Sequence, residues 1–418
     1  MMAATMWLYV DRVFVPQQAA ESSLSQEPRG SFSDLYPRWM GTREWLVRHG
    51  DPYSIKVTRE IQQEYWGRSL DSRNAEDPRD ESRFAYPAYV IFLLAPTIGL
   101  SFPAVQVQFF ILLALLTALS AWTWADLIWP GTSRHTAWIA LILTMGSCSV
   151  VQALLRQQLS LLVAMLITAS VSAVIRKRLG LAGVLLGLAT IEPALVAPLA
   201  AWYGVWIAGD FRRRHRLLWS FLATLAVLIG ASELALPGWE SKWWLLARAY
   251  LLSSQSVTLL QSLLGRGVGL VICGLVIACV IPICWRARHE SADSPSFVFA
   301  VALVLTTGLL VIPKWSPYDQ VLLLPAILLL ARDWMRHRLL HPVAKLIRFT
   351  GILLLGWQWF WAAALVLLAV NNPGRASHLS IMPLLTILMV PLVVFVALVT
   401  RPAETIARPQ LQTTNSPV

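Results

Sequence analysis

Residues 84–103, FAYPAYVIFLLAPTIGLSFP, decide how the rest of the chain is laid out. The stretch is apolar and close to the ~20 residues that a helix needs to cross a bilayer. Pro87, Pro96 and Pro103 interrupt it, and each proline removes a backbone donor and crowds the turn before it. It reads either as a span or as a helix lying in the membrane interface. Charge placement downstream chooses between the two. Apolar segments follow at 104–128, 135–154, 158–175, 179–192, 193–208, 216–236, 264–285, 296–313, 320–331, 347–370 and 379–400. Counted inward from an external 84–103, Arg134, the triplet 176–178 and the clusters 211–216, 285–289 and 332–348 all become cytoplasmic, as does Arg401. If 84–103 spans instead, most of them flip outside. Cytoplasmic loops collect Lys and Arg, so the interfacial reading is favoured. The expected fold is all-α, a polytopic membrane protein of about eleven or twelve transmembrane helices with a large first external loop.

Composition agrees. Of 418 residues 56% are hydrophobic and only 14% charged, against about 25% charged in soluble domains. The net charge of +11 would suit a nucleic-acid binder, but the cations sit in short clusters between apolar runs. No nucleic-acid partner is expected. Many of the twenty Trp lie near span ends, including Trp122, Trp129, Trp243 and Trp334, as an interfacial belt would. The four cysteines form no CxxC pair, so neither a zinc site nor a disulfide framework is expected.

The chain divides into four regions. Residues 1–30 hold a short N-terminal span and a linker; the apolar start is broken by Asp11 and Arg12 well before bilayer length. Residues 31–103 form the external loop, with interfacial helices and the catalytic region. Helices are expected there at 42–49 and 57–67, each ending near a glycine. Residues 104–400 are the transmembrane bundle, and 401–418 a disordered cytoplasmic tail.

Candidate chemistry gathers at the outer end. Asp34 opens the loop segment SFSDLYPRW, beside Phe32, Leu35, Tyr36 and Trp39. Aromatic, partly dry surroundings raise a carboxylate's pKa and suit it to take a proton from a hydroxyl; a helix cap or a salt-bridged loop acid is the other reading. Asp51, in Gly50-Asp51-Pro52-Tyr53, reads as turn chemistry. Arg156, followed by Gln157 and Gln158, could clamp a lipid phosphate or snorkel to headgroups. Glu192 lies deep in an apolar stretch, where an acid is costly and functional by default, or is buried as an ion pair with Arg156. The short loop KWSPYDQ, 314–320, brings Trp315, Tyr318 and Asp319 to the same side; Lys314 and Asp319 either reach the site or cap helix ends. No Walker glycine loop, Rossmann run, HExxH or GxSxG stands anywhere, which argues against soluble nucleotide chemistry.

Several segments together resemble glycosyltransferase family 87, of the GT-C superfamily. They are DLYPRW and GTREWL at 34–46, GDPYS at 50–54, REIQQEYWGR at 59–68 and FAYPAYVIFLLAPT at 84–97. RQQLSLLVAML at 156–166, LAGVLLGLATIEPALV at 181–196 and PKWSPYDQVLLLPA at 313–326 continue the series. The resemblance implies an inverting membrane enzyme that moves a mannose- or arabinose-type sugar from a polyprenyl-phosphate donor to a hydroxyl of a cell-envelope glycolipid or glycan. It implies that Asp34 is the general base, with Arg156 and Arg38 on the donor phosphate. Gln157, Gln158, Glu192, Trp315, Tyr318 and Asp319 would line the pocket. No cofactor and no metal are implied. Membrane lipids surround the chain, and the expected location is a plasma membrane of the bacterial inner-membrane kind, with the active site on the outer face. Two positions depart from the family's pattern: Glu192 stands where Lys is usual, and Tyr318-Asp319 where a His-Tyr pair is common. A rival class is a lipid-linked-sugar flippase or secondary transporter, which would need the cavity but no base; the matching broken helices such proteins often show appear here only once, at Glu192-Pro193.

Overall fold

A computed structural model describes residues 1–17, 33–70, 83–131, 134–252, 257–313, 316–336 and 342–400. The described residues are helical, with no strand. Trp315, Lys314 and the tail 401–418 lie outside them.

The chain opens with α1, Met2–Tyr9, which runs on through a π-helical turn, Val10–Phe14. The turn carries Asp11 and Arg12, paired at 3.1 Å and exposed, while Met6, Tyr9, Val10 and Val13 are buried. The sequence suggests a shortened or tilted first span here; among the described residues this helix is held by packing rather than by length. Trp7 donates from Nε1 to the Met145 carbonyl at 3.2 Å, and Tyr9 donates from its hydroxyl to the Ser380 carbonyl.

Two helices of the polar segment before the bundle follow: α2, Tyr36–Arg48, and α3, Ile55–Trp66. Pro37 sits in the first turn of α2, where its missing N–H costs nothing, and the helix starts six residues earlier than the periodicity suggests. It ends on His49 at φ 53°, just before Gly50, and α3 ends on Gly67 at φ 72°. Ser54 caps α3 by accepting from the Val57 amide at 3.3 Å. Residues 84–103 form no span: they give only α4, Val90–Leu94, and a 3-10 turn, Ala95–Thr97, between the prolines. Leu35, Trp39, Ile61, Phe84, Ile91 and Leu94 close a small core. A Cβ on Gly41 would lie 2.4 Å from the Phe84 ring, so α2 presses on Phe84 only because position 41 has no side chain.

The bundle begins with α5, Phe102–Ile128. Val107, Ile111, Leu115 and Leu119 are half or more exposed; their four-residue spacing draws one apolar stripe along a span-length helix, the mark of a lipid-facing surface. Next come α6, Arg134–Met145, and α7, Cys148–Leu155, bent against each other by 58° at Gly146-Ser147. The bend has two causes. Ser147 caps α7, and Gly146 lets α1 approach so closely that an added Cβ would stand 2.3 Å from Ala3. Then follow α8, Ser160–Ile175, α9, Leu179–Ala189, α10, Pro193–Gly209, and α11, Phe211–Ala235. α9 and α11 pack through small residues: a Cβ on Gly183 would strike Ser220 and Leu217, and one on Gly187 would meet Thr224. Such faces bring helices together where lipid supplies no hydrophobic drive.

The rest comprises α12, Trp239–Leu252, α13, Leu259–Leu264, α14, Arg266–Ala287, α15, Pro295–Val311, a 3-10 stretch Pro317–Leu323, α16, Leu324–Arg336, α17, Pro342–Asn371, α18, Pro373–His378, and α19, Val390–Val399. Residues 379–389, expected as part of a last span, are mostly turns, and Pro383 is among the reasons. Among the described residues four helices are long and apolar enough to cross a membrane alone, and the bent pair α6–α7 makes a fifth candidate. Five shorter apolar helices, α8, α9, α10, α15 and α19, stand where further spans were expected. The protein is an all-α, multi-pass membrane protein.

Successive helices reverse, which sorts the polar residues. α8 runs from Arg156 toward Arg176, and α9 returns to Glu192. α10 leads to the arginines at 212–216, and α11 returns toward Trp239. The turns at 156–158 and 190–193 therefore share one end of the bundle with α2 and α3, and the arginine clusters occupy the other.

Candidate functional site

Asp34 lies in the turn that leads into α2, half-buried between buried Ser33 and Leu35. Its backbone amide donates to the Arg156 carbonyl at 3.0 Å, and the Ser33 hydroxyl donates to the same oxygen at 3.5 Å. The carboxylate accepts from two side chains. Gln158 donates from Nε2 to Oδ2, and Tyr65, on the last turn of α3, donates to Oδ1 at 3.5 Å. The acid is thus pinned to the turn between α7 and α8 through its backbone and through its side chain. Hydrogen bonds to a carboxylate favour its ionised form, the form that accepts a proton.

Arg156 sits in that turn beside Tyr318, with its guanidinium carbon 5.9 Å from the ring centroid. Burial costs the cation, but Tyr318, Asp34 and Tyr65 around it outweigh that cost and raise its pKa. Gln157 takes a left-handed backbone at φ 48°. Its amide turns inward, donating to the carbonyls of Leu154 at 3.0 Å and Leu155 at 2.7 Å, so it holds the turn together. Gln158 is the neighbour that faces Asp34. The Gln-Gln pair, read alike in the sequence, therefore divides into one residue that shapes the backbone and one that meets the acid.

Arg38, one helical turn after Asp34, is 2% exposed. Its Nη1 donates to the Asp34 carbonyl at 3.1 Å, and its Nη2 to Glu192 Oε1 at 3.1 Å. The guanidinium also stacks over the Tyr86 ring, 3.9 Å from its centroid, and Nε has no acceptor among the described residues. The partner of Glu192 is thus Arg38, where the sequence suggested Arg156. Arg156 and Arg38, alike as cations in the sequence, stand in different settings: one beside Tyr318, the other clamped between α2 and the break at Thr190–Pro193. Tyr89 fixes that break from α4's side, donating to the Thr190 carbonyl at 2.8 Å.

Asp51 accepts from the Tyr53 amide at 3.0 Å, closing the expected turn, and also receives Lys242 Nζ at 2.7 Å. That pair ties the turn between α2 and α3 to α12. Asp319 is buried in the 3-10 stretch. Its neighbour Gln320 accepts from Ser149 at 3.4 Å and donates to the Ile387 carbonyl at 2.5 Å, bracing the stretch against α7 and the C-terminal turns.

Asp34, Arg156, Gln158, Glu192, Arg38 and Tyr318 are thus brought to one end of the bundle. Sequence reasoning missed Tyr65 and Tyr86. Tyr65 lies four residues after buried Ile61 on the same face of α3, a spacing that could have placed it toward the core. Nothing local marks Tyr86 as the ring under Arg38.

No curated protein and no solved structure matches the chain. A family model, glycosyltransferase family 87, matches residues 84–313, more than half of the chain. The matched region contains the turn 156–158, Thr190 and Glu192, while Asp34, Arg38, Tyr65 and Tyr318 flank it in sequence. The chain, helical and multi-pass, belongs to glycosyltransferase family 87 and is a membrane glycosyltransferase.

Proposed function

We propose that the protein transfers a sugar, of mannose or arabinose type, from a polyprenyl-phosphate donor to a hydroxyl of a cell-envelope glycolipid or glycan, with Asp34 as general base. The observation that carries this reading is the backbone hydrogen bond from Asp34 to Arg156. It ties together the backbones of an acid and a cation, the two kinds of group such a transfer needs, and Asp34 is near enough to help raise the Arg156 pKa. The acceptor O–H gives its proton to Asp34 while its oxygen forms the new bond to the anomeric carbon. The bond from that carbon to the phosphate oxygen breaks with inversion, and the electron pair leaves on the polyprenyl phosphate. Arg156 stands where it can hold that growing charge, and Tyr318 lines the same wall. Gln158 and Tyr65 orient the carboxylate toward the acceptor.

Arg38 enters as a positioning residue that holds the Asp34 carbonyl, and Glu192 holds Arg38. Asp319, in the 3-10 stretch beside Tyr318, completes the wall on that side. The end bearing Asp34 faces away from the arginine clusters, which supports an outer-face site in a plasma membrane of the bacterial inner-membrane kind.

Asp34→Asn in membranes supplied with labelled polyprenyl-phosphate sugar tests the reading. Transfer is expected to fall by about 10²–10⁴ with donor binding retained. Unchanged transfer overturns the assignment of the base. Movement of the lipid-linked sugar across the membrane with no transfer, in wild type and variant alike, supports the flippase class instead.

A further inference from the structure

At the end of the bundle opposite Asp34, a cavity of about 950 Å³ opens between the turn before α9, the start of α11 and the turn before α15. Six cations line it: Lys177, Arg178, Arg212, Arg213, Arg214 and Arg216. Against them stand two acids. Asp210 lies 3.8 Å from Arg213, and the carboxyl of exposed Asp293 is held below the usual range, first by the Ser291 hydroxyl and its own backbone and last by the charge of Lys177. The lining therefore keeps a clear positive excess.

The six cations have different duties. Arg214 is buried and structural: it donates to the carbonyls of Trp206 at 2.5 Å, Arg288 at 2.5 Å and Glu290 at 2.8 Å, and lies 3.8 Å from the Trp206 ring centroid. It builds a fixed floor. Arg178, Arg212 and Arg216 are exposed at the rim and have no ion-pair partner among the described residues. The starts of α9 and α11 also border the space, and neither has a side-chain cap. Each adds backbone N–H groups and the positive end of a helix dipole. A loose positive rim alone is what any cytoplasmic loop offers. A walled concavity with a rigid floor, unpaired guanidinium groups and two uncapped helix starts is a recess shaped for an anion.

We infer that this cavity binds a phosphate ester, with Arg178, Arg212 and Arg216 as its ligands. Its volume suits a headgroup or a small phosphorylated molecule, and its position where helices end lets either the adjoining leaflet or the aqueous phase supply it. α8, the helix between the two ends, is 16 residues long, or about 24 Å. The cavity is therefore separate from the Asp34 site, and the inference stands whether or not Asp34 is the base.

The test uses full-length protein purified in detergent. Native mass spectrometry counts retained phospholipid, and lipid-stripped protein is titrated with inorganic pyrophosphate by calorimetry. The variant Arg178→Gln/Arg212→Gln/Arg216→Gln is compared with a control that loses equal charge elsewhere at the same end, Arg134→Gln/Arg286→Gln/Lys345→Gln. A retained anionic lipid that the cavity variant loses on the order of tenfold or more, and the control keeps, supports a headgroup site. No retained lipid, but pyrophosphate binding weakened by a similar factor in the cavity variant alone, supports a soluble phosphate ester. Absence of both signals in the wild type, or equal losses in the two variants, overturns the inference. Arg212→Gln alone, at an exposed side chain, is expected to shift binding in the same direction and serves if the triple variant does not fold.

Discussion

Arg38 and Glu192, 154 positions apart, meet at 3.1 Å with their side chains only 3% and 16% exposed. The pair joins α2 to the break between α9 and α10, and the same guanidinium holds the carbonyl of Asp34. Removing one member of such a pair leaves the other buried and uncompensated, which costs roughly 3–5 kcal/mol. Arg38→Met and Glu192→Gln are each expected to lower the melting temperature in detergent. Because the pair sits behind Asp34, transfer is expected to fall further than the lost stability explains. A double variant, Arg38→Met with Glu192→Met, is expected to recover part of the stability and little of the activity. Thermal melts and transfer rates on the same preparations check both statements.

Gln158 and Tyr65 both donate to the Asp34 carboxylate, on opposite oxygens. Tyr65→Phe removes one donor while keeping the ring, and is expected to slow transfer by a few-fold, in line with the roughly 0.5–1.5 kcal/mol of a typical hydrogen bond. Gln158→Ala is expected to cost more, because its contact with the carboxylate is closer than the 3.5 Å of Tyr65 and a well-formed bond to a charged group contributes about 1.5–3 kcal/mol. Single-turnover rates with bound donor, set beside donor affinity, separate this orienting effect from binding.

Gly146 is where α1 touches the bend between α6 and α7, and an added Cβ would stand 2.3 Å from Ala3. Gly146→Leu is expected to push α1 off the bundle. Trp7 would then lose its hydrogen bond to Met145, and its fluorescence would shift to the red. Overpacking of this kind typically costs about 1–3 kcal/mol. Full thermal stability in the variant would show that α1 is not seated as described.

Tyr36 is buried in the small core around α2, and burial, with the nearby acid Glu64, pushes its hydroxyl up to about 12. Tyr53 shifts in the same direction, chiefly through burial and next through Asp51. A phenol with a raised folded-state pKa ionises more readily in the unfolded chain. The stability it contributes is complete below pH ~10 and is lost as pH rises toward about 12. The melting temperature is therefore expected to decline across that window, and Tyr36→Phe to flatten the decline. An unchanged slope in Tyr36→Phe would show that this hydroxyl is not held in the core.

Much of the bundle was legible because its cause is composition repeated over many residues. α5, α11, α14 and α15 fall where apolar runs stand between basic clusters, and the placement of those clusters favoured an 84–103 that does not span. Asp34, Arg156, Glu192 and Tyr318 were also brought to a common end by counting reversals alone. What stayed hidden depends on contacts between distant residues. A single carboxylate has no periodicity, so nothing in ATIEPALV tells whether Glu192 finds Arg38 or Arg156. The inward turn of Gln157 follows from a left-handed backbone at one residue, and the 58° bend at Gly146 from the seating of α1, neither of which leaves a pattern in the letters.

The peptide-to-peptide link between Asp34 and Arg156 also limits how this end of the molecule can work. A side chain can swing away and return, but a main-chain tether moves only with the whole turn. The main-chain spacing of Asp34 and Arg156 is therefore set like the jaws of a fixed gauge. A graft of the segment 33–70 from a relative would carry over the acid without that spacing unless the turn at 156–158 travelled with it.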